Sequence, residues 1–176
     1  MSWCPNKFRL ESTRLRNWDY SRNGWYYVTI CVKEGRHLFG QIIDGQVQLS
    51  EEGTIAAQFW REIPQHFADV VLDRFIVMPN HVHGILGICK DDSRNSGATA
   101  APRAVSTFGP LKPGSLPVVV GSYKAAVTRW CHQNGYLDFA WQPKFHDQVI
   151  EDERAMNEIR EYIGKNPERW ELKKKL

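Results

Sequence analysis

Hydrophobic and polar positions along the chain change period several times, and each change marks a predicted element. Trp25 to Val32 (WYYVTICV) is a run of aromatic and β-branched residues, the composition of a strand near the centre of a sheet. QIIDGQVQL follows with two short alternating arms about Asp44-Gly45, a dipeptide that favours a tight hairpin turn. At Ser50 the period shifts to that of a helix, capped by the serine and running over about Glu51 to Gln65. Ile55, Phe59 and Ile63, spaced by four, share one face of it, and Pro64 lies near its end. Val70 to Met78 is strand-like again, Pro79-Asn80 interrupts, and His81 to Cys89 reads as a strand paired with it. From Lys90 to Pro117 the periodicity gives way to Gly, Pro, Ser and Ala, which predicts a long loop. Val118 to Gln133 recovers a helical pattern with Val119, Tyr123, Ala126, Val127 and Trp130 on one side. FAWQPKFHDQVI is extended and contains His146. A last helix spans about Asp152 to Lys165, with acids at its positive end, Met156, Ile159 and Ile163 as its buried stripe, Tyr162 beside that stripe, and Pro167 closing it.

The chain has 176 residues, 42% hydrophobic and 24% charged, which suits one compact domain over 1–176 and excludes a fibrous or disordered class. No apolar run approaches the roughly 20 residues that span a bilayer, and MSWCPNKFRL lacks the apolar core of a signal peptide, so an intracellular protein with no membrane partner is expected. Cys4, Cys31, Cys89 and Cys131 are far apart and form no Cys-x-x-Cys pair, which predicts reduced, structural thiols. A net charge of +3 does not by itself establish a nucleic-acid partner. Its distribution says more. Arg9, Arg14, Arg16 and Arg22 crowd an N-terminal arm of about 1–22 among Trp3, Phe8, Trp18 and Tyr20. That mixture suits phosphate contact with base stacking, and equally a solvated arm anchored by its aromatics. In the loop of about 90–117, Arg94, Arg103 and Lys112 are further candidates for contact with a polyanion, as is Lys124 on the helix beyond. Lys173, Lys174 and Lys175 read as a frayed, solvated tail.

His81-Val82-His83 is the one paired-ligand pattern. Successive strand side chains alternate in direction, so the two imidazoles project together and Val82 faces away. Such a pair can hold one metal ion, or consist of two ordinary sheet histidines. Tyr162 and Asn166 are four apart, so both can face one point in space. On its own, a tyrosine beside an apolar stripe is a packing residue.

The stretches WYYVTICV, RFIVMPNHVHGIL, KPGSLPVVVGSYKAAVTRW and AWQPKFHDQVIEDERAMNEIREYIGKNPERW, in that order, resemble the REP-associated tyrosine transposases. These are relatives of the single-tyrosine insertion-sequence transposases in the HUH endonuclease superfamily, U being a hydrophobic residue. MPNHVHG together with REYIGKNP is the specific part of the match. The resemblance implies an α+β, ferredoxin-like domain whose antiparallel sheet bears the histidines, with helices packed on one face. It implies that His81 and His83 are metal ligands, that Asn166 is a third through its amide oxygen, that the ion is Mg²⁺ or Mn²⁺, and that Tyr162 is the nucleophile. The implied activity is cleavage and rejoining of single-stranded, hairpin-forming palindromic DNA through a 5′-phosphotyrosine, by a monomer or homodimer in the cytoplasm, associated with the nucleoid. Arg9, Arg14, Arg16, Arg22, Arg103, Lys112 and Lys124 become the expected DNA contacts. Water or His146 would receive the tyrosine proton, and Tyr123 and Tyr136 compete for the nucleophile's role. The alternative is a non-catalytic hairpin-binding descendant, which would be expected to lose a ligand or the nucleophile, whereas all are present. A histidine-triad hydrolase would need a third histidine where Ile85 stands.

Overall fold

The structure is a computed structural model that describes residues 18–90 and 112–174. Its central element is a four-stranded antiparallel sheet built from β1 (Gly24–Cys31), β4 (Val70–Met78), β5 (His81–Ile88) and β6 (His146–Ile150), in the order β4-β5-β1-β6. A two-stranded hairpin, β2 (Gly40–Ile43) and β3 (Gln46–Leu49), stands apart from it. Among the described residues four α-helices accompany these strands: α1 (Glu51–His66), α2 (Leu116–Gln133), α3 (Glu153–Gly164) and α4 (Asn166–Lys174). None of the described helices is long and apolar enough to cross a membrane.

Local chemistry sets the boundaries. Asp44 and Gly45 at the β2–β3 turn have φ of 50° and 71°, the positive values that a two-residue hairpin of matching twist requires. Ser50 caps α1 by accepting from Gly53 N at 3.1 Å, and Asp152 caps α3 by accepting from Ala155 N at 2.7 Å.

The two sheet faces carry separate cores. Tyr26, Val28 and Ile30 of β1 with Val82, Leu86 and Ile88 of β5 point to one side, where Ala56, Ala57, Trp60 and Ile63 of α1 and Val119, Tyr123 and Val127 of α2 cover them. Ile85 and Ile150 point to the other side, against Met156 and Ile163 of α3. The expectation of helices on one face is therefore corrected. Every residue of β5 is buried, and a strand buried on both faces needs helices on both.

Three smaller expectations also change. The buried stripe of α1 is Gly53, Ala56, Ala57, Trp60 and Ile63, so Ile55 and Phe59 flank it rather than define it. The reason lies across the interface, where Gly84 leaves a notch for the Trp60 indole: a Cβ on Gly84 would lie 2.2 Å from that ring. The helix closed ahead of Pro167 is as expected, with Lys165 as its C-cap, but it is not the last one. α3 ends at Gly164, and Pro167 sits in the first turn of α4, where its missing N–H has no intrahelical partner to lose. Lys173 and Lys174 accordingly lie in a helix and not in a frayed tail. α4 packs against the β2–β3 hairpin, which explains what that hairpin is for: it buttresses the helix that begins with Asn166.

Candidate active site

Period-two alternation places His81 and His83 on the α3-facing side of β5, and antiparallel register decides what surrounds them. Cys31 lies opposite His81 and Thr29 opposite His83 on β1, with Tyr27 one pair further along. On the far side of β1, Thr29 pairs with His146 of β6, so His83, Thr29 and His146 form one row across the sheet. Both site histidines are deeply buried, 5% and 2% exposed. Burial pushes the His81 imidazole down to about 4, and burial followed by the neighbouring His81 holds His83 well below its usual range. Both are neutral at physiological pH, the form that binds metal.

Their Nε2 atoms converge to 2.9 Å, with ring centroids 4.4 Å apart. Two nitrogens each about 2.1 Å from one ion, at a right angle, are about 3.0 Å apart, so the spacing is that of neighbouring ligands of a single ion. The hydrogen bond behind His81 favours the same outcome, and those behind His83 permit it. Asn80 Nδ2 donates to Gly35 O at 3.2 Å, which turns its Oδ1 toward His81 Nδ1 at 2.6 Å. An amide oxygen only accepts, so the proton of His81 sits on Nδ1 and a lone pair on Nε2. His83 Nδ1 meets two hydroxyls, Tyr27 Oη at 2.7 Å and Thr29 Oγ1 at 2.9 Å. A hydroxyl can donate or accept, and by accepting from Nδ1–H this pair leaves the Nε2 lone pair of His83 free as well.

Helices α3 and α4 close the site from above. The Tyr162 ring meets His83 edge-on at 5.6 Å and Tyr27 at 6.4 Å. Trp170 lies 5.8 Å from the His81 ring. Asn166 is 7% exposed and begins α4, so a buried residue with an amide side chain stands at the junction between α3, which carries Tyr162, and the helix that carries Trp170. The two converging neutral imidazoles fit a divalent ion. Among the described residues, no cluster of three or more His, Cys, Asp or Glu side chains offers a different metal site.

The competing tyrosines have other tasks. Tyr123 is 3% exposed, its hydroxyl donates to Ala56 O at 3.0 Å, and burial raises its phenol. Tyr136 donates to Glu51 at 2.7 Å. Tyr27, which the sequence did not single out, is the tyrosine nearest His83, but its hydroxyl is engaged there and burial raises it too. Tyr162 is left as the half-exposed phenol at the histidines.

Of the expected DNA contacts, Arg9, Arg14, Arg16 and Arg103 lie outside the described residues. Arg22 is exposed at the start of β1. Lys112 pairs with Asp19 at 2.6 Å on the surface. Lys124 donates to Gln142 O at 2.6 Å and burial lowers it to about 8, so its ammonium tethers the segment before β6. Asn80, Tyr27, Thr29 and Trp170 are the site residues that sequence reasoning missed. Tyr27 and Thr29 share the alternation of WYYVTICV, but only the β1–β5 register brings them to His83.

No family model matches the chain. An uncharacterized protein of Haemophilus influenzae is 37% identical over 161 residues, covering 92% of this chain and 89% of the relative. Among solved structures, a REP-associated tyrosine transposase bound to a REP hairpin superposes with a TM-score of 0.57 at 15% identity, over 90% of this chain and 74% of that one.

Proposed function

The chain belongs to one family with the Haemophilus influenzae protein and has the fold of a REP-associated tyrosine transposase, and from this premise we propose that it is a metal-dependent endonuclease and strand transferase acting on single-stranded DNA hairpins. The observation that carries the reading is the convergence of His81 and His83 Nε2 at 2.9 Å beneath the Tyr162 ring. The shared fold supports it, as does the hairpin bound to the solved relative.

In this reading His81, His83 and Asn166 hold Mg²⁺ or Mn²⁺. When bound, the ion supplies Lewis-acid polarisation of a phosphoryl group and neutralises charge on the departing oxygen. The residues of the chain do the rest. Asn80 keeps the His81 proton on Nδ1, and Tyr27 and Thr29 hold the His83 ring in place. Tyr162 Oη attacks phosphorus, the Oη–P bond forms as the P–O3′ bond breaks, the phenol proton passes to solvent, and the freed 3′ oxygen takes up a proton. The 5′-phosphotyrosine conserves the bond energy for rejoining by the reverse attack.

The test uses a 3′-labelled oligonucleotide carrying a palindromic hairpin and a single-stranded flank, taken from repeats beside the coding sequence. Wild type with Mn²⁺ should give a covalent adduct that survives denaturing electrophoresis and maps to Tyr162. Tyr162→Phe should bind the hairpin and give none, and His81→Ala or His83→Ala should abolish the adduct in protein whose circular dichroism matches wild type. Hairpin binding without any adduct would leave the non-catalytic descendant instead. Robust cleavage in excess chelator would remove the metal from the scheme.

A further inference from the structure

The described basic side chains of α3 and α4 are nearly all engaged. Arg154 pairs with Glu158 at 3.0 Å, Arg160 with Asp73 at 2.6 Å, and Lys165 with Glu161. Arg169 differs from them. Among the described residues it forms no ion pair, although its charge, after that of Lys165, helps to lower the Glu161 carboxyl, and its guanidinium lies over the Tyr162 ring, 5.4 Å from the centroid. Tyr162 lies on α3 and Arg169 on α4, and the chain turn between the two helices brings the guanidinium onto the ring. Arg169 is exposed, while the Tyr162 ring beneath it touches the buried His83. The cation therefore stands on the solvent side of the candidate nucleophile, with the histidines on the protein side.

Packing does not account for that position, because an exposed guanidinium on an aromatic face contributes only about 0.5–1 kcal/mol. An approaching phosphodiester does account for it. A substrate must reach Tyr162 from solvent, and the cation it meets beside the phenol presents two or more N–H donors in a plane matched to a pair of phosphoryl oxygens. We propose that Arg169 is a catalytic residue that grips the non-bridging oxygens of the scissile phosphate and holds phosphorus in line with Tyr162 Oη. This rests on the nuclease reading above and adds to it the group that binds the reacting phosphate independently of the histidines. The negative charge on the phosphoryl oxygens changes distribution as Oη–P forms and P–O3′ breaks, and a planar fork already beside the phenol stabilises that change.

The experiment has two arms on the same hairpin oligonucleotide. In the first, Arg169→Gln should slow adduct formation at saturating DNA on the order of 100-fold. It should change hairpin affinity by only about 3-fold, since one phosphate contact is a small part of the whole. Arg169→Lys, which keeps the charge and loses the fork, should fall between. Thermal melting of both variants should match wild type, because the side chain is exposed. In the second arm, binding alone is measured with Tyr162→Phe while each phosphate of the single-stranded flank is replaced in turn by a neutral methylphosphonate. One position should weaken binding about 3-fold, and that penalty should vanish in Tyr162→Phe/Arg169→Gln, a non-additivity that a merely structural role does not produce. A wild-type rate in Arg169→Gln overturns the proposal and leaves the nuclease reading standing. No adduct in wild type overturns the nuclease reading, and the second arm still decides whether Arg169 holds a phosphate: if no methylphosphonate penalty depends on it, that contact is excluded.

Discussion

Replacing Gly84 with alanine should disturb the histidine strand from its opposite face. The new Cβ would lie 2.2, 2.7 and 2.8 Å from three atoms of the Trp60 ring, where carbon atoms ordinarily rest about 3.5–4.0 Å apart. The ring or the strand must therefore retreat by roughly 1 Å. Trp60 has little room for it: the residue is fully buried, edge-on to Tyr123 at 5.3 Å and stacked on Phe75 at 5.9 Å. Overpacking a full core costs about 1–3 kcal/mol, and so deep an overlap belongs at the upper end. Alanine returns about 0.4–1 kcal/mol by restricting the unfolded chain. The net loss is about 2 kcal/mol, which for a chain of this length lowers Tm by about 4–8 °C. Thermal unfolding of wild type, Gly84→Ala, Trp60→Phe and the double variant checks it. Trp60→Phe empties the space the methyl needs, so the double variant should be more stable than the sum of the singles by at least about 1 kcal/mol. Mn²⁺ affinity, read by titration calorimetry, should fall in Gly84→Ala because His83 is the next residue on the displaced strand. Unchanged Tm in Gly84→Ala, or strict additivity in the double variant, would refute the packing argument.

Tyr27→Phe/Thr29→Val removes both hydroxyls from His83 Nδ1 and should weaken Mn²⁺ binding about 10- to 100-fold, with each single variant milder because one partner remains; equal affinity in the double variant, by titration calorimetry, would exclude the role given to these hydroxyls. Asp73 carries a pH dependence. The Arg160 guanidinium holds its carboxyl below the usual 3.8, so the ion pair stabilises the native state above that value and the contribution is lost as pH falls through the lower folded value. Wild type should therefore exceed Asp73→Asn by about 0.5–1 kcal/mol in urea unfolding near neutrality, with the gap closing below about pH 4; a gap independent of pH would refute the assignment.

The strands and the helix starts were legible because each is written locally. WYYVTICV and VVLDRFIVM are rich in β-branched and aromatic side chains, and Ser50 and Asp152 cap the helices they precede through bonds to residues three further on. What failed was reasoning that needed a partner from elsewhere. The α1 stripe was placed by the spacing of Ile55, Phe59 and Ile63, yet the helix turns its Trp60 inward because Gly84, on another element, leaves room for the indole. Nothing within α1 records that notch. Pro167 likewise has two local meanings, helix end and helix start, and it serves both; only the second, which shows in the packing of α4 on the β2–β3 hairpin, was hidden.

The same division runs through the candidate site. The shared direction of His81 and His83 follows from one strand's geometry, so it was legible, and the pairing of Tyr162 with Asn166 came from the resemblance of REYIGKNP. Tyr27 and Thr29 were hidden because register between β1 and β5 joins residues 54 and 56 positions apart in sequence. This explains why MPNHVHG is read as one motif although its residues serve opposite faces. Asn80 fixes the His81 tautomer from the turn, His81 and His83 face α3, and Gly84 faces α1 to admit Trp60. The strand can hold two neutral imidazoles in a dry interior only if its other face is packed tightly enough to locate it, and the glycine beside the second histidine permits that packing. Stability on one side and chemistry on the other are therefore coupled through a single strand, so a change at Gly84 should register in metal affinity even though it touches no ligand.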